Sequence, residues 1–153
     1  MKKILLVILI LGCTNSYGSE TGCLAENVYF EARSQGFAGW VAVAQVTLNR
    51  VEDKRFPNTI CEVVKQGLTY ESGNPIKNKC QFSWYCDGKS DKIKNVKIYN
   101  EIVELMHYIL DQSLFDITDG ATHYHADYVL PSWAKTKTKT IEIDDHIFYR
   151  WER

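Results

Sequence analysis

The chain has 153 residues, 45% of them apolar and 24% charged, which suits one compact domain, leaves too little for two and excludes a disordered polypeptide. A formal net charge of −1 gives no electrostatic case for a nucleic-acid partner. The basic stretch Lys135, Lys137, Lys139 is broken by threonines and reads as a solvated loop.

The first residues set themselves apart. Lys2 and Lys3 precede an unbroken apolar run over residues 4–11, and small and polar residues follow. That is the layout of an export signal, too short to span a bilayer. Two ends fit it. A signal peptide over residues 1–18 would be cut after Gly18. A lipoprotein leader over residues 1–12 would end before Cys13, because Ile10-Leu11-Gly12-Cys13 resembles a bacterial lipobox. A lipid on Cys13 would anchor the protein to a membrane surface. Either way the domain over residues 19–153 is expected outside the cytoplasm: periplasmic, secreted or held as a membrane-anchored lipoprotein.

Residues 24–33 read as a helix with Leu24, Val28 and Ala32 on one stripe. Ser34-Gln35-Gly36 is a break, with Gly36 suited to a left-handed helix end. Residues 39–53 form the clearest helix. Trp40, Val43, Ala44, Thr47 and Leu48 line one side, Val41, Ala42 and Val46 widen it, and so broad a face implies deep burial. Phe56-Pro57-Asn58-Thr59 is a turn whose Asn58 or Thr59 can cap a short helix with Ile60, Val63 and Val64 inward and Gly67 closing it. Residues 68–79 hold Gly73, Asn74 and Pro75 and read as a loop. Residues 96–111 are a second strong helix carrying Ile98, Ile102, Leu105 and Ile109. Residues 121–128 suit an extended segment, and residues 140–151 alternate around Asp144-Asp145 like a hairpin. The expected fold class is α+β, mainly α: one domain with a small antiparallel sheet late in the chain.

Four cysteines follow the leader: Cys23, Cys61, Cys80 and Cys86. An even set in an oxidising compartment suggests two disulfides, with three pairings open. Cys80–Cys86 as a local clip and Cys23–Cys61 as a staple between helices are the preferred pairs. Four thiolates could instead hold zinc, but the paired CxxC spacing of such sites is lacking.

Three segments could carry chemistry. Glu31 ends an aromatic-rich helix among Tyr29, Phe30 and Trp40, where desolvation would raise its pKa and keep a proton for general acid work. The bland alternative is a glutamate paired with Arg33 or Arg50. Cys80-Gln81-Phe82-Ser83-Trp84-Tyr85-Cys86 mixes ring faces with hydrogen-bonding groups, as a sugar site needs. Its alternative is a surface loop with its aromatics packed inward. In Thr122-His123-Tyr124-His125-Ala126-Asp127 the two histidines would share one strand face and, with Asp127, suggest a metal triad; one buried and one exposed histidine is the favoured reading.

Taken in order, these segments resemble the SleB-type cell-wall hydrolase family, that of the spore cortex-lytic enzymes. The resemblance rests on Asn27-Val28-Tyr29-Phe30-Glu31-Ala32-Arg33, on Ala42-Val43-Ala44-Gln45-Val46-Thr47-Leu48-Asn49-Arg50-Val51, and on Phe56-Pro57-Asn58-Thr59-Ile60-Cys61-Glu62-Val63-Val64. It continues through Cys80-Gln81-Phe82-Ser83-Trp84, Gly120-Ala121-Thr122-His123-Tyr124-His125, Pro131-Ser132-Trp133-Ala134 and Asp145-His146-Ile147-Phe148-Tyr149. His123 and His125 depart from it, standing where the spore enzymes tend to have tyrosines. The resemblance implies a lysozyme-like domain that cuts peptidoglycan glycan strands between N-acetylmuramic acid and N-acetylglucosamine, many members acting as lytic transglycosylases. It makes Glu31 the catalytic acid, places Gln81, Phe82, Ser83 and Trp84 along the substrate, and sets Tyr124, flanked by His123 and His125, near the glutamate. It implies a monomer with no metal and no cofactor. An amidase acting on the peptide stem and a non-catalytic wall-binding lipoprotein are the competing readings.

Overall fold

The computed structural model describes residues 17–152; the readings of the leader and of Cys13 lie outside the described residues. Helices α1 (Tyr17–Ala32), α2 (Phe37–Glu52), α3 (Ile60–Val64) and α4 (Val96–Gln112) pack around α1, which contacts each of the other three. On α1, Leu24, Val28 and Ala32 recur every fourth residue and are wholly buried. On α2 every residue from Val41 to Thr47 is buried, as expected of a helix enclosed on all sides. On α4, Ile102, Leu105, Met106 and Ile109 face the core; the Asn95 side chain caps its first turn, accepting from Ile98 N at 3.2 Å.

Two small sheets complete the fold. Strands β1 (Gly67–Thr69) and β2 (Pro75–Cys80) form an antiparallel hairpin. Strands β3 (His123–Ala126), β4 (Thr138–Ile143) and β5 (His146–Arg150) form an antiparallel sheet of order β3-β5-β4, with Tyr124 opposite Phe148 and Ala126 opposite His146. The late sheet and mainly helical body agree with the sequence reading. The disulfides do too: Cys23–Cys61 ties α1 to α3, and Cys80–Cys86 clips the end of β2 to a 3-10 turn (Ser83–Cys86).

Three local expectations differ. Gly36 is extended (φ −74°, ψ 176°) and leads into α2 rather than ending a helix left-handed. Its N–H donates to the Asp144 carboxylate at 3.0 Å, so the β4–β5 turn, and no neighbour in sequence, supplies an anion at the start of α2. Residues 68–79 contain the β1–β2 hairpin, not only a loop. Its strands are short and polar and show no alternation to betray them, and the pairing is anchored by a distant cysteine. Gly67 starts β1 instead of closing α3, whose cap is Lys65. A Cβ at Gly67 would stand 2.9 Å from the Cα of Cys80, so this crossing of backbones requires glycine.

Polar residues of α2 set the position of the late sheet. Gln45 donates to the Phe115 carbonyl at 2.6 Å and accepts from Ile117 N at 2.8 Å. Asn49 Nδ2 reaches Asp116 Oδ2, Thr118 Oγ1 and the Ala121 carbonyl at 2.9, 3.2 and 3.0 Å. Such groups leave water only where partners replace it. The chain is thereby fixed against α2 just before it enters β3.

Candidate active site

Glu31 lies in the last turn of α1, where the core residues Val28 and Ala32 hold the helix in place. Tyr124, brought in by β3, donates its hydroxyl to Glu31 Oε2 at 2.7 Å. Arg33 does not neutralise the acid; its guanidinium lies over the Tyr29 ring, 5.2 Å from the centroid. Burial raises the Glu31 pKa above the ordinary glutamate value, and the Tyr124 hydrogen bond and the charge of Arg50 only partly oppose it. The Tyr124 phenol is pushed well above its usual value by burial and by the carboxylate beside it, so it remains a donor.

Arg50 supplies the nearby charge from α2. Its Nε donates to the Thr122 carbonyl at 2.7 Å, and its guanidinium lies 4.8 Å from the Phe82 ring centroid and 5.2 Å from that of Phe56. Ring faces and a carbonyl thus compensate a cation that is almost wholly buried.

Glu31 opens into a groove of about 670 Å³. One wall is Phe30, Ser83 and Trp84, continuing into a charged lip with Asp87, Lys89, Asp91, Lys92 and Lys94. The other wall is Tyr124, His125, Ala126, Tyr128 and His146. Phe30 and Trp84 stack with centroids 4.6 Å apart and an interplanar angle of 22°. A buried relay holds Trp84: Nε1 donates to Asn27 Oδ1 (2.9 Å), Asn27 Nδ2 to Thr47 Oγ1 (3.1 Å), and Thr47 Oγ1 to the Val43 carbonyl (3.2 Å). The Tyr29 hydroxyl accepts from Lys94 N and Asn95 N at 3.2 and 2.9 Å and thereby fixes the basic lip.

Of the residues singled out in the sequence, Glu31, Ser83, Trp84, Tyr124 and His125 are brought together at this groove. Gln81 is exposed and outside its lining, its backbone N–H paired with the Gln66 carbonyl. Phe82 is buried beneath Arg50. His123 lies on the sheet's opposite side, between Phe56, Trp133 and Trp151. Its pKa is lowered to about 3, chiefly by burial and then by Arg50, Lys137 and Arg55. Neither histidine is exposed, so the expected split into one buried and one exposed fails: Trp133 covers both, and His125 Nε2 meets the Tyr149 hydroxyl at 3.0 Å. Asp127 is exposed, and no group of three His, Cys, Asp or Glu side chains among the described residues is placed to hold a metal.

Two residues at the site passed unnoticed in the sequence. Arg50 entered only as a partner for Glu31, although a lone arginine on an otherwise apolar helix face was a signal that it is buried for a reason. His146 entered only as part of the closing hairpin and of the Asp145-His146-Ile147-Phe148-Tyr149 segment of the resemblance, with no role given to it.

The chain is similar to known cell-wall-lytic proteins. A spore cortex-lytic enzyme of Bacillus cereus is 28% identical over 126 residues, 82% of this chain. The chain spans only 42% of that relative's length. The catalytic domain of the Bacillus cereus SleB protein superposes with a TM-score of 0.61 at 27% identity, over 87% of this chain and 91% of that one. The catalytic domain of the germination-specific lytic transglycosylase SleB from Bacillus anthracis does so with a TM-score of 0.64 at 27% identity, over 89% and 98%. The family described as Cell Wall Hydrolase matches residues 34–149, beginning just after Glu31, and the chain belongs to that family.

Proposed function

We propose that this chain cleaves peptidoglycan glycan strands between N-acetylmuramic acid and N-acetylglucosamine, as a lytic transglycosylase. The observation that carries the reading is one carboxyl group, raised in pKa by burial and oriented by a phenol, at the floor of an open groove. Glycosidases that use water need two cooperating carboxyls. A transglycosylase needs one. Glu31 protonates the glycosidic oxygen as the bond to the muramic acid C1 breaks and glucosamine departs. The muramic acid C6 hydroxyl then bonds to C1 and gives its proton to Glu31, which restores the acid and leaves an anhydro end. Tyr124 orients the carboxyl throughout. The names of the SleB relatives support the same chemistry.

Asp87 and Asp91 on the charged lip are the features favouring hydrolysis by water, but the Asp87 carboxylate is engaged in a local turn, accepting from Lys89 N at 2.7 Å. Both His123 and His125 have ring nitrogens committed to protein partners, which leaves a metal-dependent amidase little to work with. The protein would work as a monomer outside the cytoplasm, with its leader either removed after Gly18 or ended at a lipidated Cys13. No helix among the described residues is long and apolar enough to cross a membrane.

Mass spectrometry of digested peptidoglycan tests the reading. Anhydro ends from the unchanged protein and their loss in Glu31→Gln, by about 10²–10⁴-fold, are expected. Reducing ends would indicate hydrolysis and free stem peptides an amidase; digestion undiminished in Glu31→Gln would end the proposal.

A further inference from the structure

His146 has no part in the chemistry above, yet it is unusually placed. It is the first residue of β5, 8% exposed, and it lines the groove that holds Glu31. Its ring packs against Tyr124, the phenol bonded to Glu31, with centroids 5.0 Å apart and an interplanar angle of 68°. Register explains this. Residues directly opposite in an antiparallel pair share a face, so Ala126 with His146 and Tyr124 with Phe148 form one side of the sheet. The rings of His123 and His125 alternate to the other side, against Trp133, although His125 also borders the groove.

The ring's two nitrogens are in unlike surroundings. Nδ1 is buried and has no hydrogen-bond partner among the described residues. Nε2 is not among the buried unpaired atoms, which leaves it as the ring nitrogen free to face the groove that His146 lines. Genuinely orphaned N–H groups are rare inside proteins. The proton therefore belongs on Nε2 and the bare lone pair on Nδ1. Burial holds the imidazole below its usual pKa against the carboxylates Asp145, Asp144 and Asp127, which keeps the ring in this neutral form.

We propose that His146 is a substrate-contacting residue, whose Nε2–H donates a hydrogen bond to an oxygen of the glycan bound beside Glu31. The acceptor would be an amide carbonyl or hydroxyl of the sugar, the groups that a neutral donor recognises without asking for charge. The inference rests on the glycan-cleaving reading of the groove and adds a specificity-determining donor to it. It also gives a purpose to an imidazole whose inner nitrogen would otherwise cost stability for nothing.

Two measurements test it. Nitrogen NMR of the ring reads the tautomer directly in the unchanged protein: a protonated Nε2 and a bare Nδ1 support the proposal, and the reverse overturns it. Kinetics on soluble glycan strands test the contact. His146→Phe keeps the ring's bulk without the donor and is expected to lose roughly tenfold or more in kcat/KM with a Tm no lower than that of the unchanged protein, since the unpaired Nδ1 is removed with the donor. His146→Gln returns an N–H near the place of Nε2 and is expected to recover most of that loss. Full activity in His146→Phe, or equal losses in both variants at unchanged Tm, would overturn the proposal while leaving Glu31 catalysis intact. Failure of the unchanged protein to cleave or bind glycan would overturn the function itself, and the contact with it.

Discussion

The two walls of the groove are built in different ways. The Phe30–Trp84 wall is anchored on the helix that carries Glu31: Phe30 belongs to that helix, and Trp84, from a loop closed by Cys80–Cys86, is fastened to it by a stacked ring and a buried amide relay. The Tyr124–His146 wall belongs to a sheet whose residues lie some ninety positions further along the chain. That wall is placed by polar contacts, from Asn49 and Gln45 on α2 and from Asp144 at the start of the same helix. The acid thus sits on a rigid core helix, while the hydroxyl that tunes it depends on how accurately a distant sheet is docked.

The contact between the walls is where the largest effect is expected. Tyr124→Phe keeps the ring and removes the hydroxyl. Activity on peptidoglycan should fall about tenfold to a thousandfold, with little change in Tm. Since that hydrogen bond lowers the Glu31 pKa, its loss should move the alkaline limb of the pH–activity profile upward. An unchanged profile would mean that the two walls do not communicate through this bond.

Asn49→Ala should come next. Asn49 does not line the groove, but it fixes the segment leading into β3. Leaving those partners unpaired should cost about 1–3 kcal/mol, read as a lower urea midpoint, with activity falling alongside. A stable variant with full activity would show that the sheet docks on α2 without the Asn49 contacts.

Cys80→Ala with Cys86→Ala should have the smallest effect on activity. The clip closes a loop of sequence separation 6, so its loss should cost roughly 2 kcal/mol of stability. Activity should survive, because Trp84 keeps its stack and its bond to Asn27. If activity disappears while the fold remains, the helix-anchored wall is less self-sufficient than its contacts indicate.

The same asymmetry governs what could be read in the sequence. The helices were legible because apolar spacing leaves a local mark, and an even cysteine count suggested two disulfides with a preferred pairing; Glu31 stood out as a carboxyl among rings before a glycine break, but its role as the acid came with the resemblance. The β1–β2 hairpin was not, because its pairing depends on Gly67 meeting a cysteine thirteen residues away, with no alternation between. Tyr124 was reachable only through resemblance. Strand period put His123 and His125 on one face, but not which face meets α1. The docking of the sheet decided that, and it turned His146 toward the groove and His123 away. Arg50 was obscured for a related reason: besides the nearby Glu31 charge, its compensation comes from Phe56, Phe82 and a carbonyl, which no acid-pairing pattern in the sequence reveals.

A raised Glu31 pKa also has a consequence for stability. The folded protein binds the proton more tightly than the unfolded chain, so this group's contribution is fully present below the ordinary value of 4.5 and is lost as pH rises through the folded pKa. Glu31→Gln should therefore gain stability relative to the unchanged protein as pH rises across that window. The most direct measurement is the titration of the Glu31 carboxyl itself, by carbon NMR of selectively labelled protein. The expected result is a midpoint above 4.5, higher still in Tyr124→Phe. A midpoint at or below 4.5, unmoved by that substitution, would contradict the claim that burial and a phenol prepare this side chain to give up a proton.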